Sequence, residues 1–161
     1  MVSLEELNKI NLLKALEPDM LDKVRPFVEL RDFQNREVIF REGDKALYFY
    51  MLLRGGVLLE VQASPTILIS LGAIKPGFSF GWSALLPEAS NYTSHAVCTE
   101  ASDVLMIPAG RLVSLMEEDH SLGFCIMEGV VQILKRRLER RTEQFLKTLR
   151  NHPDIREPFW E

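Results

Sequence analysis

Cysteine is scarce in this sequence, and the way it is placed excludes two kinds of small domain. The chain has two cysteines, Cys98 and Cys125, and neither belongs to a Cys-x-x-Cys pair. A disulfide framework or a thiolate zinc site needs more cysteines at closer spacing. Both lie among apolar residues, so we interpret them as small hydrophobic residues of the core.

Long apolar runs are also missing. No stretch of the sequence approaches the length that a membrane-spanning helix requires. The first residues carry acidic side chains where a signal peptide has basic ones, and their apolar positions are spaced rather than continuous. The sequence therefore predicts a cytoplasmic protein without a membrane partner.

Signatures of catalytic and metal sites are sparse too. The sequence has no Gly-x-x-x-x-Gly-Lys-Ser/Thr loop and no His-Glu-x-x-His pair. The three histidines, His95, His120 and His152, are far apart, whereas a cupin-like metal enzyme clusters its His ligands on the strands of a barrel. We therefore predict a protein that is not an enzyme and has no resident metal ion or cofactor.

Charge is unevenly distributed along the chain. The net charge is −4, yet residues 135–150 hold seven Lys or Arg against two Glu, so the remainder is acidic. An acidic surface does not favour nucleic acid. The basic residues from Lys135 to Arg141 spread around most faces of a helix with no aromatic beside them, which is typical of a solvated face.

The apolar pattern divides the chain into four segments. Residues 1–27 predict an N-terminal helical segment, in which Ser3 and Glu6 form a capping box and Pro18 opens a second helix. Residues 28–108 predict a mainly β fold with flanking α-helices, an antiparallel jelly-roll barrel (a double-stranded β-helix). Gly56 is the expected hairpin position with a positive φ. The predicted strands are short runs rich in β-branched and aromatic residues, at 37–40, 48–53, 57–61, 67–71, 95–98 and 104–107.

The third segment, residues 109–152, is helical. A short helix over 109–117 precedes a long helix from Ser121 to His152, and Pro153 begins a tail of residues 153–161. A helix of this length cannot bury itself on a small barrel, so we expect a homodimer formed through it. Its apolar residues follow a-and-d spacing, interrupted by Arg141: Met127, Val131, Leu134, Leu138 and Phe145.

Two motifs carry a family resemblance. Residues 36–44 read Arg-Glu-Val-Ile-Phe-Arg-Glu-Gly-Asp and lead into an aromatic strand and a Gly hairpin at residues 48–57. Residues 76–86, Pro-Gly-Phe-Ser-Phe-Gly-Trp-Ser-Ala-Leu-Leu, are similar to the start of a phosphate-binding cassette. In this order the motifs resemble the cyclic-nucleotide-binding domain of the bacterial Crp/Fnr regulators, over roughly residues 10–150.

The sequence departs from the family pattern at two positions. The resemblance implies a ribose-binding Glu directly after Gly81 and a phosphate-binding Arg further on, but Trp82 occupies the first position and Tyr92 (or Asn91, if the alignment shifts by one) the second. No Arg or Lys occurs between Lys75 and Arg111. Losing two charge-assisted hydrogen bonds predicts a loss of about a hundredfold or more in cyclic AMP affinity.

The candidate effector site has two interpretations. Trp82 and Tyr92 either fill an unused pocket or stack on a planar effector. His95 lies beside this segment, and haem-binding members of the superfamily use a His there, but a lone His is typical of an ordinary hydrogen-bonded residue. The backbone N–H groups of residues 82–84 are available to bind an anion. The candidate pocket residues are Phe80, Gly81, Trp82, Ser83, Ala84, Tyr92, Thr93 and Ser94.

These observations predict a regulatory domain that senses a small molecule or binds a protein and does not bind cyclic AMP or cyclic GMP in the usual way. A divergent cyclic-nucleotide receptor and a scaffold protein with a vestigial pocket are the alternatives. In the Crp/Fnr regulators a winged helix-turn-helix follows the long helix, and this sequence ends about ten residues beyond it. We therefore expect no direct DNA binding, unless another chain supplies the DNA contact.

Overall fold

The computed structural model describes residues 2–86 and 90–150. The contacts divide the chain into two compact units, Met1–Ile126 and Met127–Glu161. The division falls within the predicted long helix. The predicted end of that helix at His152 and the tail at 153–161 lie outside the described residues.

The N-terminal segment contains two short α-helices, α1 (Leu4–Leu7) and α2 (Pro18–Val24). The predicted capping box is present, since the Ser3 hydroxyl accepts from the Glu6 N–H and the Glu6 carboxylate accepts from the Ser3 N–H. Pro18 stands at the start of α2, as predicted. Between the helices, the Asn11 N–H donates to the Gly77 carbonyl at 2.8 Å, which fastens this segment to the barrel.

The described residues form two four-stranded antiparallel sheets that share one core, which confirms the predicted jelly roll. Their strand orders are β1-β8-β3-β6 and β2-β7-β4-β5. The predicted β-branched runs all become strands, because alternating apolar side chains fit a half-buried pleated surface. The strands are β1 (Glu29–Phe33), β2 (Val38–Phe40), β3 (Tyr48–Arg54), β4 (Val57–Ser64), β5 (Ile67–Ile74), β6 (Ser79–Phe80), β7 (His95–Cys98) and β8 (Ser102–Pro108).

Strands β1 and β6 were not predicted. The sequence of β1, Glu-Leu-Arg-Asp-Phe, is largely charged, and only Phe33 is buried. It is an edge strand that pairs with the central strand β8, so its neighbour rather than its own composition stabilises it. β6 has only two residues and pairs with Tyr50 and Met51.

The expected positive φ of the β3–β4 hairpin falls on Gly55 and not on Gly56. Gly55 has a φ of +92°, and a Cβ there would lie 2.3 Å from the Ser102 Oγ. Both the left-handed backbone and this close approach require glycine at Gly55. Gly56 is also crowded, since a Cβ would lie 2.5 Å from the Thr99 Oγ1, but its φ is not positive.

Helices α3 (Ala109–Glu118) and α4 (His120–Arg150) follow the barrel, close to the predicted boundaries. Asp119 separates them and accepts a hydrogen bond from the Leu122 N–H at 3.0 Å, which caps α4. The Lys23 ammonium of α2 lies 2.6 Å from the Asp119 carboxylate. The hydrogen bond from Lys23 is the first cause that lowers the pKa of Asp119 below its ordinary value.

From Met127 onward, α4 carries an exposed apolar stripe. Leu138 is 69% exposed, Phe145 62% and Val131 58%, although each is a large hydrophobic residue. Met127 and Leu134 are exposed as well. The whole set predicted from a-and-d spacing therefore faces solvent within this unit.

Candidate effector site

The cassette-like segment begins with β6 and turns at Gly81. Gly81 has a φ of +76°, and a Cβ there would lie 2.9 Å from the Tyr50 Cδ2 and 3.4 Å from the Tyr92 Cε1. The position therefore requires glycine for its backbone and for the space beside two tyrosine rings. A 3-10 helix of four residues, Trp82–Leu85, follows. Its Ala84 N–H donates to the Gly81 carbonyl at 3.2 Å and is used within the turn.

Tyr92 lies inside the barrel. Its side chain is only 4% exposed and its ring stacks on Phe40, with the centroids 3.8 Å apart and the planes inclined by 17°. The Tyr92 hydroxyl donates to the Tyr48 carbonyl at 2.8 Å and accepts from the Tyr48 N–H at 3.1 Å. Tyr48, the first residue of β3, therefore satisfies the Tyr92 hydroxyl both as a hydrogen-bond donor and as an acceptor.

Four rings form what we call the aromatic cluster: Phe40, Tyr50, Phe80 and Tyr92. Phe40 belongs to one sheet, while Tyr50 and Phe80 belong to the other. Tyr50 stacks on Phe80 at 5.4 Å, and the Phe40 centroid lies 5.4 Å from Tyr50 and 6.0 Å from Phe80. Aromatic pairs of this kind contribute about 0.5–1.5 kcal/mol each beyond the area that they bury. The cluster joins the two sheets, and the cassette-like segment contributes Phe80 to it.

Burial keeps the two tyrosines of the cluster neutral. Desolvation is the first cause that raises the pKa of Tyr50, and the nearby Tyr92 adds to it. Desolvation likewise raises the pKa of Tyr92, against hydrogen bonds to the Tyr48 and Leu47 backbone and to the Tyr50 side chain that lower it. The aromatic cluster therefore carries no formal charge at neutral pH.

The other candidate residues are divided between the interior and the surface. Phe80 and Ala84 are buried in the core, and Ser94 is buried as well. Trp82 and Ser83 are half-buried, and Thr93 is exposed. The structure thus brings Phe80, Gly81 and Tyr92 together, with the rings of Phe80 and Tyr92 in the interior, whereas Trp82 is half-buried.

The Glu-Gly-Asp turn holds Tyr92 in place. The Gly43 N–H donates to the Tyr92 carbonyl and the Tyr92 N–H donates to the Asp44 carbonyl, each at 2.9 Å. The Asp44 carboxylate accepts from the Arg41 N–H at 3.0 Å, a local hydrogen bond that is common for Asp in turns. The pairing of this turn with the segment before β7 was not predicted from the sequence.

His95 is engaged in a local hydrogen bond. Its Nδ1 accepts from the Glu42 N–H at 3.2 Å, and its Nε2 lies 3.8 Å from a Glu42 carboxylate oxygen.

Within residues 2–86 and 90–150, no three His, Cys, Asp or Glu side chains are grouped so as to hold a metal ion. In the same residues, no helix has the length and apolar character needed to cross a membrane.

Residues 77–81 of the cassette-like segment also spell Gly-x-Ser-x-Gly. In hydrolases this spacing exposes a nucleophilic serine on a strand-to-helix turn. Here Ser79 lies in β6 and is 1% exposed, and its Oγ has no hydrogen-bond partner among the described residues. A serine nucleophile needs access and an adjacent base, and this geometry provides neither.

Comparison with known families agrees with this architecture. The family model described as the cyclic nucleotide-binding domain matches residues 30–119, which is more than half of the chain and includes the Glu-Gly-Asp turn and the cassette-like segment. The chain belongs to this family. Regulators of this family are generally not enzymes. No curated protein matches the chain.

Solved structures of the cyclic nucleotide-binding family share the fold. A protein from Geobacter metallireducens GS-15 that carries the name of a cyclic nucleotide-binding protein is 30% identical, with a TM-score of 0.75, over 86% of this chain and 99% of that chain. The N-terminal domain of a Streptomyces coelicolor transcriptional regulator is 17% identical, with a TM-score of 0.67, over 84% and 94%. The Thermus thermophilus catabolite activator protein is 23% identical, with a TM-score of 0.69, and 62% of that longer chain is covered.

Proposed function

We propose that this chain is a regulatory domain that does not hold a cyclic nucleotide in the family's usual way and that acts through contacts with protein, as a cytoplasmic homodimer joined by α4. The observation that carries the proposal is the burial of Tyr92 against Phe40 with its hydroxyl bonded to Tyr48. The resemblance places Tyr92, or Asn91 if the alignment shifts by one, at the position of the family's phosphate-binding Arg.

Charge is the first argument. A cyclic phosphodiester is an anion, and a site that buries it must supply a compensating cation. The segment between Lys75 and Arg111 contains none. Arg31 is the cation that acts on Tyr50, but its guanidinium lies 4.7 Å from the centre of the Phe33 ring and 4.0 Å from the Glu37 carboxylate. Its charge is already engaged on the barrel surface.

Space is the second argument. To admit a nucleotide at this position, Tyr92 would leave the aromatic cluster and give up both hydrogen bonds to Tyr48. Losing the stacking costs about 0.5–1.5 kcal/mol, and each lost hydrogen bond about as much again. Any ligand would have to offset these costs before it gained affinity.

The homodimer part of the proposal is supported by the apolar stripe of α4. Met127, Val131, Leu134, Leu138 and Phe145 recur at heptad spacing, and all five are exposed. Exposed a-and-d residues on a long helix are covered when two such helices associate. Arg141 in the same register is accommodated at the cost of some stability.

Calorimetric titration with cyclic AMP and cyclic GMP tests the nucleotide part of the proposal. We expect no binding tighter than about 100 μM for the wild-type protein. Two variants separate charge from space: Tyr92→Ala opens the position, and Tyr92→Arg opens it and adds the cation. If the missing cation limits affinity, Tyr92→Arg binds more tightly than Tyr92→Ala, with circular dichroism confirming that both are folded. Micromolar or tighter binding by the wild-type protein would contradict the proposal.

A second candidate function, sensing of a planar small molecule, is favoured by one observation. Trp82 is half-buried and directly follows Gly81 at the start of the 3-10 helix. A partly exposed tryptophan can stack on an aromatic ligand. Native mass spectrometry of protein taken from cells tests this candidate, because a retained small molecule would add a defined mass that the Trp82→Ala variant loses.

A further inference from the structure

Strand β5 (Ile67–Ile74) is the outermost strand of its sheet. In the part of the chain that the structure describes, it pairs only with β4, and the order of the sheet is β2-β7-β4-β5. The backbone N–H and C=O groups on its outer side therefore form an unpaired row. Such a row is a template for hydrogen bonding to another strand and not to a helix.

The side chains of β5 are apolar and exposed. Ile67 is 54% exposed and Leu68 57%, and Ile69 and Leu71 are exposed as well. Proteins commonly protect an edge strand with lysine, proline or a bulge. The sequence of β5, Ile-Leu-Ile-Ser-Leu-Gly-Ala-Ile, contains no charged residue and no proline. The β4–β5 ladder has two register shifts, one between Ser70 and Gly72 of β5 and one where Gln62 and Ser64 of β4 face Leu68 and Ile67, so the regular part of the edge without this protection is Leu68–Ser70.

We infer that β5 is a pairing surface for the β5 strand of a second copy of this chain, antiparallel about a two-fold axis. A two-fold pairing presents the same surface from both copies. Because β5 has no charge, two copies meet without like-charge repulsion, and apolar residues of one copy stand opposite apolar residues of the other. A charged strand from another protein would instead place its charges against Ile67, Leu68 and Ile69, which disfavours it.

Pairing at β5 is independent of the proposed α4 dimer and adds a second two-fold interface to the same chain. Two different two-fold interfaces on one protomer produce either a closed tetramer or an open chain of protomers. The assembly is therefore expected to exceed a dimer when both interfaces are intact.

Analytical ultracentrifugation of the full chain tests this inference with charges introduced on β5. Ser70 stands opposite Glu60 of β4, so the lysine of Ser70→Lys faces an opposite charge within the hairpin while it charges the edge. Leu68→Lys is a second edge variant at an exposed position. Gln62→Lys is the matched control, because Gln62 is exposed on β4, one strand away from the edge.

We expect both edge variants to reduce the wild-type assembly to a dimer and the Gln62→Lys control to retain the wild-type mass. Thermal unfolding shows that each variant is folded. Hydrogen exchange of the peptide that covers β5 should be faster in Ser70→Lys than in the wild-type protein, since pairing protects the outer amides.

Three results with the β5 variants and their control would overturn the pairing at β5. They are equal masses for the wild-type protein and both edge variants, an equal loss of mass in the Gln62→Lys control, and unchanged exchange of the β5 amides. The Leu138→Glu variant on α4 keeps this test separate from the α4 dimer, because it breaks the helix interface and leaves β5 untouched. If Leu138→Glu alone reduces the wild-type protein to a monomer, the α4 dimer stands and the pairing at β5 is wrong.

Discussion

The Tyr92 hydroxyl is bonded twice to the backbone of one residue, Tyr48, as donor to its carbonyl and as acceptor from its N–H. Tyr48 is the first residue of β3, so this pair joins the start of a central strand to the segment that precedes β7. The Glu-Gly-Asp turn closes the same junction from the other side through Gly43 and Asp44. Tyr92 thus has a structural role in this fold.

Removing only the hydroxyl measures this role. We expect Tyr92→Phe to lower the free energy of unfolding by about 1–3 kcal/mol, because the half-buried Tyr48 backbone loses its partner. Tyr92→Leu should cost more, since it also removes the stacking on Phe40. Denaturant unfolding followed by circular dichroism checks both variants. A Tyr92→Phe protein within about 0.5 kcal/mol of the wild type would show that the two hydrogen bonds contribute little.

Three glycine variants separate backbone strain from crowding. Gly81→Ala meets a positive φ and a Tyr50 contact at 2.9 Å, whereas Gly43→Ala meets a positive φ of +86° with nothing within 4 Å. We expect Gly43→Ala to cost about 1–2 kcal/mol and Gly81→Ala to cost more. Gly110→Ala, in α3 with open space and an ordinary φ, should be neutral or stabilising by up to about 1 kcal/mol. Equal costs at Gly81 and Gly43 would contradict the crowding at Tyr50.

The apolar stripe of α4 predicts a charge-sensitive association. Leu138→Glu places a like charge from each protomer in the helix interface, so we expect the dimer to dissociate at micromolar concentration. Sedimentation equilibrium measures this change. Gln132→Glu is the control, because it adds the same charge at an exposed position outside the stripe. Dissociation in both variants, or in neither, would contradict an interface along the stripe.

The ion pair between Lys23 and Asp119 predicts a pH dependence of stability. The pKa of Asp119 is lowered below its ordinary value of 3.8, first by the hydrogen bond from Lys23, so the folded state binds this proton less readily than the unfolded state. The stabilisation is therefore present above that ordinary pKa and is lost as the pH falls through the lower pKa of the folded protein. Asp119→Asn keeps a helix-capping residue and removes the charge.

We expect the wild-type protein to unfold at a higher temperature than Asp119→Asn near pH 7 and the two to converge in acid. Thermal unfolding at a series of pH values measures the difference. The pKa of Lys23 is raised above its ordinary value of 10.5, first by its hydrogen bond to Asp119. The stabilisation by the ion pair is therefore fully present below that ordinary value and is lost as the pH rises through the higher pKa of the folded protein. A difference that stays constant down to strong acid would show that the ion pair does not contribute.

Much of the fold could be predicted from the sequence, because the β-branched runs between Gly and Pro residues reflect local preferences. β1 escaped prediction because Glu29, Arg31 and Asp32 are unfavourable strand residues that pairing with β8 overrides. The choice between Gly55 and Gly56 could not be predicted either, since a side chain would be crowded at both positions and the positive φ of Gly55 is what distinguishes them.

The candidate site was predictable in position but not in arrangement. The motif order located Gly81 and Tyr92, but it could not show which large ring enters the barrel. That depends on Phe40, a stacking partner far away in sequence, and on the Tyr48 backbone, whose hydrogen-bonding groups no residue pattern reveals. Trp82, the more conspicuous substitution, is left half-buried.

The hydrogen bond from Asn11 to Gly77 has a practical consequence for dissecting this molecule. Gly77 also donates its own N–H to the Leu52 carbonyl of β3, and a Cβ at Gly77 would lie 3.0 Å from the Lys9 carbonyl. The first dozen residues thus close the turn that leads into β6 and Gly81. A shortened protein that starts at the first strand would lack the Asn11 hydrogen bond and the Lys9 contact that close this turn. The smallest unit in which the effector site can be studied therefore includes the N-terminal helices.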